Sequence, residues 1–386
     1  MPRPTSDCRA TERNHPWPMV RLGDVCEITA GNSAPQNKDL FLDGTHPFIR
    51  TSDVGEIHFG IIVKSRDKLN DAGIAGLRLF PKGSVLFPKS GASTYLNHRV
   101  LLGVNAYVVS HLAVIMPSEQ VYPQYLLYAL AVVDAKTLMQ DSSYPALRTA
   151  EIGAAKFPLP SLAEQKEIVA RLERELAAVE KMKKGFEALS ETAKAEFKAE
   201  LKEVFEGLRC SGVEMRRLED VCELKAGGDK PTVFSKCVID TMRIPVVSNG
   251  IQNDGICGYT NVATEHAGCV TVSARGTIGW SCVRDYSFVP IVRLIVVRPK
   301  DKVDVGYLLR MLQQLSFNQS GSSIPQLTVP MLKGVEIPLP SLPVQRQIVD
   351  RLSAAKARAE KMEAKAREGV AVCETMRKAI LKEAFE

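Results

Sequence analysis

Residues 158–172 and 338–352 carry one phrase written twice, at an offset of 180 positions. Each copy reads Pro-Leu-Pro-Ser-Leu, then Gln165 or Gln345, Ile168-Val169 or Ile348-Val349, and Arg171-Leu172 or Arg351-Leu352. A chain that repeats a long unit folds into two similar modules, and their jobs are then similar in kind. The start of each unit repeats as well: Arg21-Leu22-Gly23-Asp24-Val25-Cys26-Glu27 returns as Arg217-Leu218-Glu219-Asp220-Val221-Cys222-Glu223, and each copy ends at a glycine, Gly31 or Gly227. Weaker echoes lie between, such as Tyr125-Leu126-Leu127 against Tyr307-Leu308-Leu309 and Pro145-Ala146-Leu147 against Pro325-Gln326-Leu327. The stretches 35–105 and 229–290 align at little more than a glycine loop. A shared frame with unlike inserts implies two recognition modules for two targets.

Each repeated phrase opens a long helix. Apolar or small residues recur from Ile168 through Leu172, Leu176, Val179, Met182, Phe186, Leu189, Ala193, Phe197 and Leu201 to Val204, and from Ile348 through Leu352, Ala355, Ala359, Met362, Ala366, Val370, Cys373, Met376 and Ile380 to Ala384, with the mean spacing of an α-helix. Prolines 158 and 160 exclude helix upstream, Ser161 caps, and Glu164 completes a capping box. In the second copy Ser341 caps again, but Val344 replaces the glutamate. A helix of some 45 residues is roughly 67 Å long, too long for a small module to cover. The large residues of the first stripe face the alanines of the second in size, which favours an intramolecular antiparallel pair over a homodimeric coil. Strict heptads, which a homodimer would want, are absent.

Before each helix the pattern is mixed. Short β-type runs at 60–63, 84–87, 106–109, 269–272 and 294–297 are punctuated by Gly, Pro and Asn turns. One helix follows in each unit, about 123–139 and 305–317, and then a loop, 142–145 or 320–325.

With 386 residues, 45% of them hydrophobic, the chain is long enough for two or three domains, and no apolar run approaches the length needed to cross a bilayer. The first eighteen residues are polar and proline-bearing, which gives a loose tail and no secretory signal. Nine cysteines, an odd number without a CxxC, fit reduced thiols in the cytoplasm. Cys257, Cys269 and Cys282 are spaced too widely to read as a metal site. Cys26 and Cys222, at matching positions, read as small buried side chains.

A variable module, a loop, then Phe157-Pro158-Leu159-Pro160-Ser161-Leu162 with Gln165, Ile168, Val169 and Leu172, then a long helix, all of it twice, resembles the DNA specificity subunit of type I restriction-modification systems. The likeness covers 21–386. It implies an α+β fold in which two mixed α/β target-recognition domains are separated by two long antiparallel coiled-coil helices in a pseudo-twofold repeat. The expected boundaries are a flexible tail at 1–20, the first target-recognition domain at 21–160, the central helix at 161–206, a linker at 207–216, the second domain at 217–340 and the C-terminal helix at 341–386. It further implies sequence-specific binding of a bipartite duplex site with a fixed spacer. The implied partners are double-stranded DNA, two methyltransferase (modification) subunits and restriction (motor-nuclease) subunits, with no membrane. S-adenosylmethionine, ATP and Mg²⁺ would belong to those partners and none to this chain, which is expected not to be an enzyme. A coiled-coil adaptor without DNA specificity is the alternative.

The motifs agree with that division. There is no Asn/Asp-Pro-Pro-Tyr tetrad, no GxGxxG and no GxxxxGK[ST], and His98 and His111 read as structural or surface residues. Net charge is +6, with the first helical segment on the acidic side, so the non-helical modules are the better candidates for an anionic partner. Reading a duplex takes donors and acceptors at base edges plus phosphate contacts. Polar loops around the glycines of Ser90-Gly91-Ala92-Ser93 and Arg275-Gly276-Thr277-Ile278-Gly279 suit it. The candidates are Lys38, Arg50, Thr51, Lys89, Ser90, Ser93, Thr94, Tyr95 and Asn97 in the first module, and Ser248, Asn249, Gln252, Arg275, Thr277 and Asn318 in the second.

Overall fold

The computed structural model describes residues 17–139, 146–315 and 326–385; the loops at 142–145 and 320–325, and Asn318, lie outside the described residues. The chain divides into two compact units, 1–184 with 370–386, and 185–369. Each unit holds one mixed module and a stretch of both long helices, Leu162–Cys210 and Leu342–Phe385.

In the first unit a five-stranded sheet runs in the order Cys26–Ala30, Leu112–Pro117, Val85–Pro88, Arg99–Leu102, Phe59–Ile62. All its pairings are antiparallel except the last. A three-stranded sheet places His46–Ile49 between an antiparallel Asp67–Leu69 and a parallel Tyr107–Val108. Alternation explains why the central strands read as unbroken apolar runs. Val85, Phe87, Leu101, Ala113 and Ile115 pack with helix Pro123–Ala131, while Leu86, Val100, Leu102, Leu112 and Val114 join the core with Phe48 and Ile49.

The second unit repeats this order with the same strand senses. Its larger sheet is Cys222–Ala226, Ile295–Pro299, Cys269–Val272, Ser281–Arg284, and its smaller one sets Ile244–Val247 between an antiparallel Ile256–Thr260 and a parallel Val289–Pro290. Only Phe59–Ile62 lacks a counterpart among the described residues. The glycine that ends each repeated opening phrase is a close-approach position: a Cβ on Gly31 would stand 2.3 Å from the Val109 carbonyl oxygen, and one on Gly227 would stand 2.7 Å from that of Pro290.

The phrase that opens the long helices is a weld. Gln165 is fully buried; its Oε1 accepts from Tyr122 N at 2.7 Å, and its Nε2 donates to the carbonyls of Gln120 and Pro160, both at 2.9 Å. Gln345 does the same in the second unit, accepting from Asp304 N at 2.8 Å and donating to Lys302 O at 2.9 Å and Pro340 O at 2.8 Å. Tyr125 and Tyr307 donate their hydroxyls to Pro158 O and Pro338 O, at 2.8 and 2.7 Å. The prolines of the phrase therefore present carbonyls that no helix consumes, and a buried tyrosine and glutamine take them. Ser161 and Glu164 form the expected capping box, with Ser161 N donating to Glu164 Oε2 at 2.9 Å.

The far end of each long helix seals the other module's weld. Phe385 packs on Tyr125 with ring centroids 5.3 Å apart, and Phe205 packs on Tyr307 at 5.5 Å. Both phenylalanines belong to a further repeat, Leu201-Lys202-Glu203-Val204-Phe205 and Leu381-Lys382-Glu383-Ala384-Phe385, also offset by 180 and too short to stand out in the sequence alone. The antiparallel pairing is plain in the second unit, where Glu200 meets Arg351 and Arg358 while Phe186 lies against Gly369, whose added Cβ would come within 2.5 Å of that ring. In the first unit Lys183 meets Glu374, and Ile168 and Leu172 share a core with Ala384 and Phe385.

Several sequence-drawn limits shift. The first long helix continues to Cys210, so the segment expected as linker starts helical and ends in strand Met215–Arg217. Strand Met19–Arg21, paired with Lys156–Pro158, begins inside the expected tail. The helix expected over 123–139 stops at Ala131, and a second turn, Ala135–Leu138, starts where the Asp134 carboxylate caps Lys136 N at 3.0 Å. That over 305–317 ends at Gln314. Met182 and Met376, placed on the inward stripes, are exposed, because the buried stripe is narrower than the apolar one.

Candidate nucleic-acid interface

In each module three chain segments leave the same edge: the end of the central strand of the small sheet, the end of the central strand of the large sheet, and the turn after the short parallel strand. In the second module they are tied by Asn249. Its Oδ1 accepts from Ala274 N at 2.7 Å and its Nδ2 donates to Val292 O at 2.9 Å. Ser248, Asn249 and Gln252 on the first segment, with Arg275 and Thr277 on the second, are thus brought together; Arg293 on the third, exposed and left-handed at φ 61°, joins them unforeseen.

Their roles within this group differ. Gln252 and Arg275 are exposed, and the Arg275 guanidinium reaches Gln326 at 2.9 Å. Ser248 is half-buried, its N–H closing a turn on Gly255 O. Asn249 is spent on the scaffold, and the Thr277 hydroxyl is buried without a partner among the described residues.

In the first module six of the nine candidates share the loop after strand Val85–Pro88. Lys89 N donates to His111 O at 3.0 Å, and Ser90 Oγ lies 2.8 Å from His111 Nδ1. His111 thus stands at the site's edge, at the position Arg293 takes in the second module. Ser93 Oγ bonds the Ser90 carbonyl, and Tyr95 is exposed with Lys136 Nζ 5.6 Å from its ring centroid. Thr94 is fully buried, and its hydroxyl has no partner among the described residues. Asn97, left-handed at φ 54°, accepts from Ala135 N on its Oδ1 at 2.8 Å and donates from its Nδ2 to Asp134 Oδ1 at 2.9 Å. Thr94 and Asn97 build the loop rather than extend from it.

Arg50 and Thr51 flank the same turn from the other side, since Val109 N donates to Ile49 O at 2.9 Å. Arg50 is half committed: its Nε bonds Asp67, and its guanidinium lies 5.4 and 5.2 Å from the Phe41 and Phe48 ring centroids. Lys38, in the turn Lys38–Phe41, is exposed and not joined to the others by any bond among the described residues.

Sequence reasoning missed two arginines that are fully buried. Arg99 lies 3.3 Å from the centroid of the Phe87 ring, donates to His98 O at 2.8 Å and Val133 O at 3.1 Å, and leaves its Nε unpaired among the described residues. Burial presses its pKa down to about 9, with the Asp134 charge opposing. Arg284 donates from Nε to Thr271 Oγ1, from Nη1 to Tyr286 Oη and from Nη2 to Asp254 O. Nothing in a lone arginine within an apolar strand announces burial, because the residue type is usually a surface one.

His98 stacks on His58 with ring centroids 4.5 Å apart; burial, then His58 and Arg99, lower its pKa. Among the described residues no group of three His, Cys, Asp or Glu side chains could hold a metal ion, and no helix is long and apolar enough to cross a membrane.

Comparison with known proteins points one way. The family model for the type I restriction modification DNA specificity domain matches residues 14–185 and 210–368, one match per module. A putative type I specificity subunit of Mycoplasma pneumoniae is 28% identical over 61% of this chain, and a second one from that organism is 37% identical over 32%. The matches span 64% and 36% of those relatives' lengths. Among solved structures, one concerned with complex assembly and conformational transition of the type I R-M system aligns with a TM-score of 0.77 at 22% identity, covering 95% of this chain and 97% of that one. The HsdS subunit from Thermoanaerobacter tengcongensis aligns at 0.57 with 23% identity, covering 96% of each chain. Two repeated modules and two long helices are thus the fold these proteins share.

Proposed function

We infer, because this chain belongs to the type I restriction-modification DNA specificity family, that it binds duplex DNA in a sequence-specific way and carries no chemistry of its own. Each module reads one half of a bipartite site across a fixed spacer: residues 21–157 one half, 217–337 the other. The single observation that carries this is the pairing of a common frame with unlike loops. Strand order, weld and helix seal repeat, whereas one module carries Lys89, Ser90 and Tyr95 along its edge and the other carries Gln252, Arg275 and Arg293. A shared frame that carries unlike side chains along its polar edge is what base-edge readout requires.

The chain then places its partners. Two methyltransferase subunits, with restriction subunits where cleavage occurs, supply S-adenosylmethionine, ATP and Mg²⁺ chemistry in the cytoplasm. Side chains confined to the scaffold, such as Asn249 and Asn97, orient neighbours, while exposed Lys38, Tyr95, Gln252 and Arg275 reach bases or phosphates. The phosphate share of the affinity falls steeply with salt.

The test is methylation mapping in cells that express a modification subunit with or without this chain. A two-part methylated motif that appears only with the chain supports the reading. Methylation that is unchanged by its removal, or a chain-dependent complex that shifts no duplex in a gel, supports the adaptor alternative instead.

A further inference from the structure

The turn at residues 253–255 runs left-handed through three successive residues. Asn253 and Asp254 are left-handed at φ 48° and 51°, and Gly255 follows at 77°. Asn, Asp and Gly tolerate left-handed backbone better than other residues, so the sequence permits this turn while its surroundings fix where it sits. Two contacts hold it here. Ser248 N closes the turn on Gly255 O at 2.9 Å, and from beneath Arg284 Nη2 grips Asp254 O at 2.7 Å.

Arg284 is fully buried, yet no carboxylate pairs with it among the described residues. Its other donors go to neutral oxygens, Thr271 Oγ1 at 3.0 Å and Tyr286 Oη at 2.9 Å. Burying a cation against neutral acceptors is a poor way to stabilise a core, which an apolar side chain of that size would serve better. What an arginine supplies instead is direction: a planar fork whose donors leave at fixed angles, so that fixing two of them aims the third.

We propose that Arg284 is the positioning residue of the second module's reading surface, its guanidinium setting the turn 253–255 and through it the side chains on 248–252 and 273–277. The coupling is physical at each step. The turn closes on Ser248, the next residue is Asn249, and Asn249 holds Ala274 N, from which Arg275 and Thr277 extend. In the first module Arg99, on the strand Arg99–Leu102 beside Val85–Pro88, stands at the other end of its strand from Arg284, since Leu101 pairs with Val85 whereas Arg284 pairs with Cys269, and it too holds loop carbonyls, those of His98 and Val133. This inference rests on the reading of the second module as a half-site reader.

The test is Arg284→Lys in the full chain assembled with its modification subunits. Lysine keeps the charge and loses the fork. In the methylated motif, discrimination at the half-site read by the second module falls by roughly tenfold, about one base pair's worth of specificity, while the other half stays as sharp as before. Tyr286→Phe keeps the ring against Phe288, removes one of the three anchors, and shows the same one-sided broadening in weaker form. It decides the matter alone if Arg284→Lys yields no soluble complex. A motif that keeps both halves sharp, whether methylation is lowered or not, overturns the proposal, because a merely structural residue would cost yield and not selectivity. If the unaltered complex shows no two-part motif at all, the functional reading falls first and this inference with it.

Discussion

Replacing Gln345 by leucine tests the weld that roots the second long helix in its module. The side chain is fully buried and satisfies one N–H, of Asp304, and two carbonyls, of Lys302 and Pro340. Leucine fills the volume but strands all three groups. An unpaired buried polar group costs about 1–3 kcal/mol. Lys302 is exposed enough for its carbonyl to find water, so the three together cost ~3–6 kcal/mol on that scale. The added apolar surface offsets about 1 kcal/mol of this. The chain has two tryptophans, Trp17 in the first unit and Trp280 in the second, so Trp17→Phe and Trp280→Phe backgrounds report one unit each. In urea, with a slope of roughly 2–3 kcal/mol/M, Gln345→Leu lowers the midpoint reported by Trp280 by about 1–2 M, and Gln165→Leu does the same for the one reported by Trp17. A shift under about 0.3 M would refute the claim that these glutamines anchor the helices.

Phe205→Ala and Phe385→Ala, each removing a buried ring from a module's tyrosine, cost about 3–5 kcal/mol apiece, measured by the same urea curves in the second and first units respectively. Burial pushes the Cys26 and Cys222 thiols up to about 12 and Cys269 up to about 11. Raised folded-state values mean that these neutral thiols favour the fold up to the usual thiol pKa near 9 and disfavour it as pH climbs beyond. At pH 8 iodoacetamide therefore labels exposed Cys210, Cys237 and Cys257, and spares those three until the chain is unfolded, as peptide mass spectrometry would read out.

The frame was legible because it is written in patterns that physics forces. Buried helix faces recur at the helical period, and the phrase around Pro158 and Pro338 repeats because both modules solve the same problem of unpaired carbonyls. Five strands were found to within a residue or two, most of them buried on both faces and so apolar throughout, while half-buried ones such as Cys26–Ala30 and Ile256–Thr260 were not. Boundaries were less legible. The break at Asp134 depends on a side-chain cap that a helical pattern conceals, and the helix extension to Cys210 depends on Phe205 finding Tyr307, a contact far apart in sequence.

The reading edge was legible as a place but not residue by residue. Composition marks Asn97, Thr94 and Asn249 as polar loop residues, yet tertiary bonds turn Asn97 to Ala135 and Asn249 to Ala274, and Thr94 is buried within the loop. Arg293 and His111 were passed over because the turn that presents them follows a strand of only two residues. Arg99 and Arg284 were missed for the opposite reason, as charged residues whose burial no local pattern discloses.

The measurement that reaches the central claim most directly is a module exchange. The segment 217–337 is replaced by that of a relative with a different target, the chain is expressed with its modification subunits, and the methylated motif is mapped across the genome. One half of the motif changes to the relative's while the other half and the spacer stay fixed. Both halves changing together, or neither changing, would contradict the division of reading between the two modules.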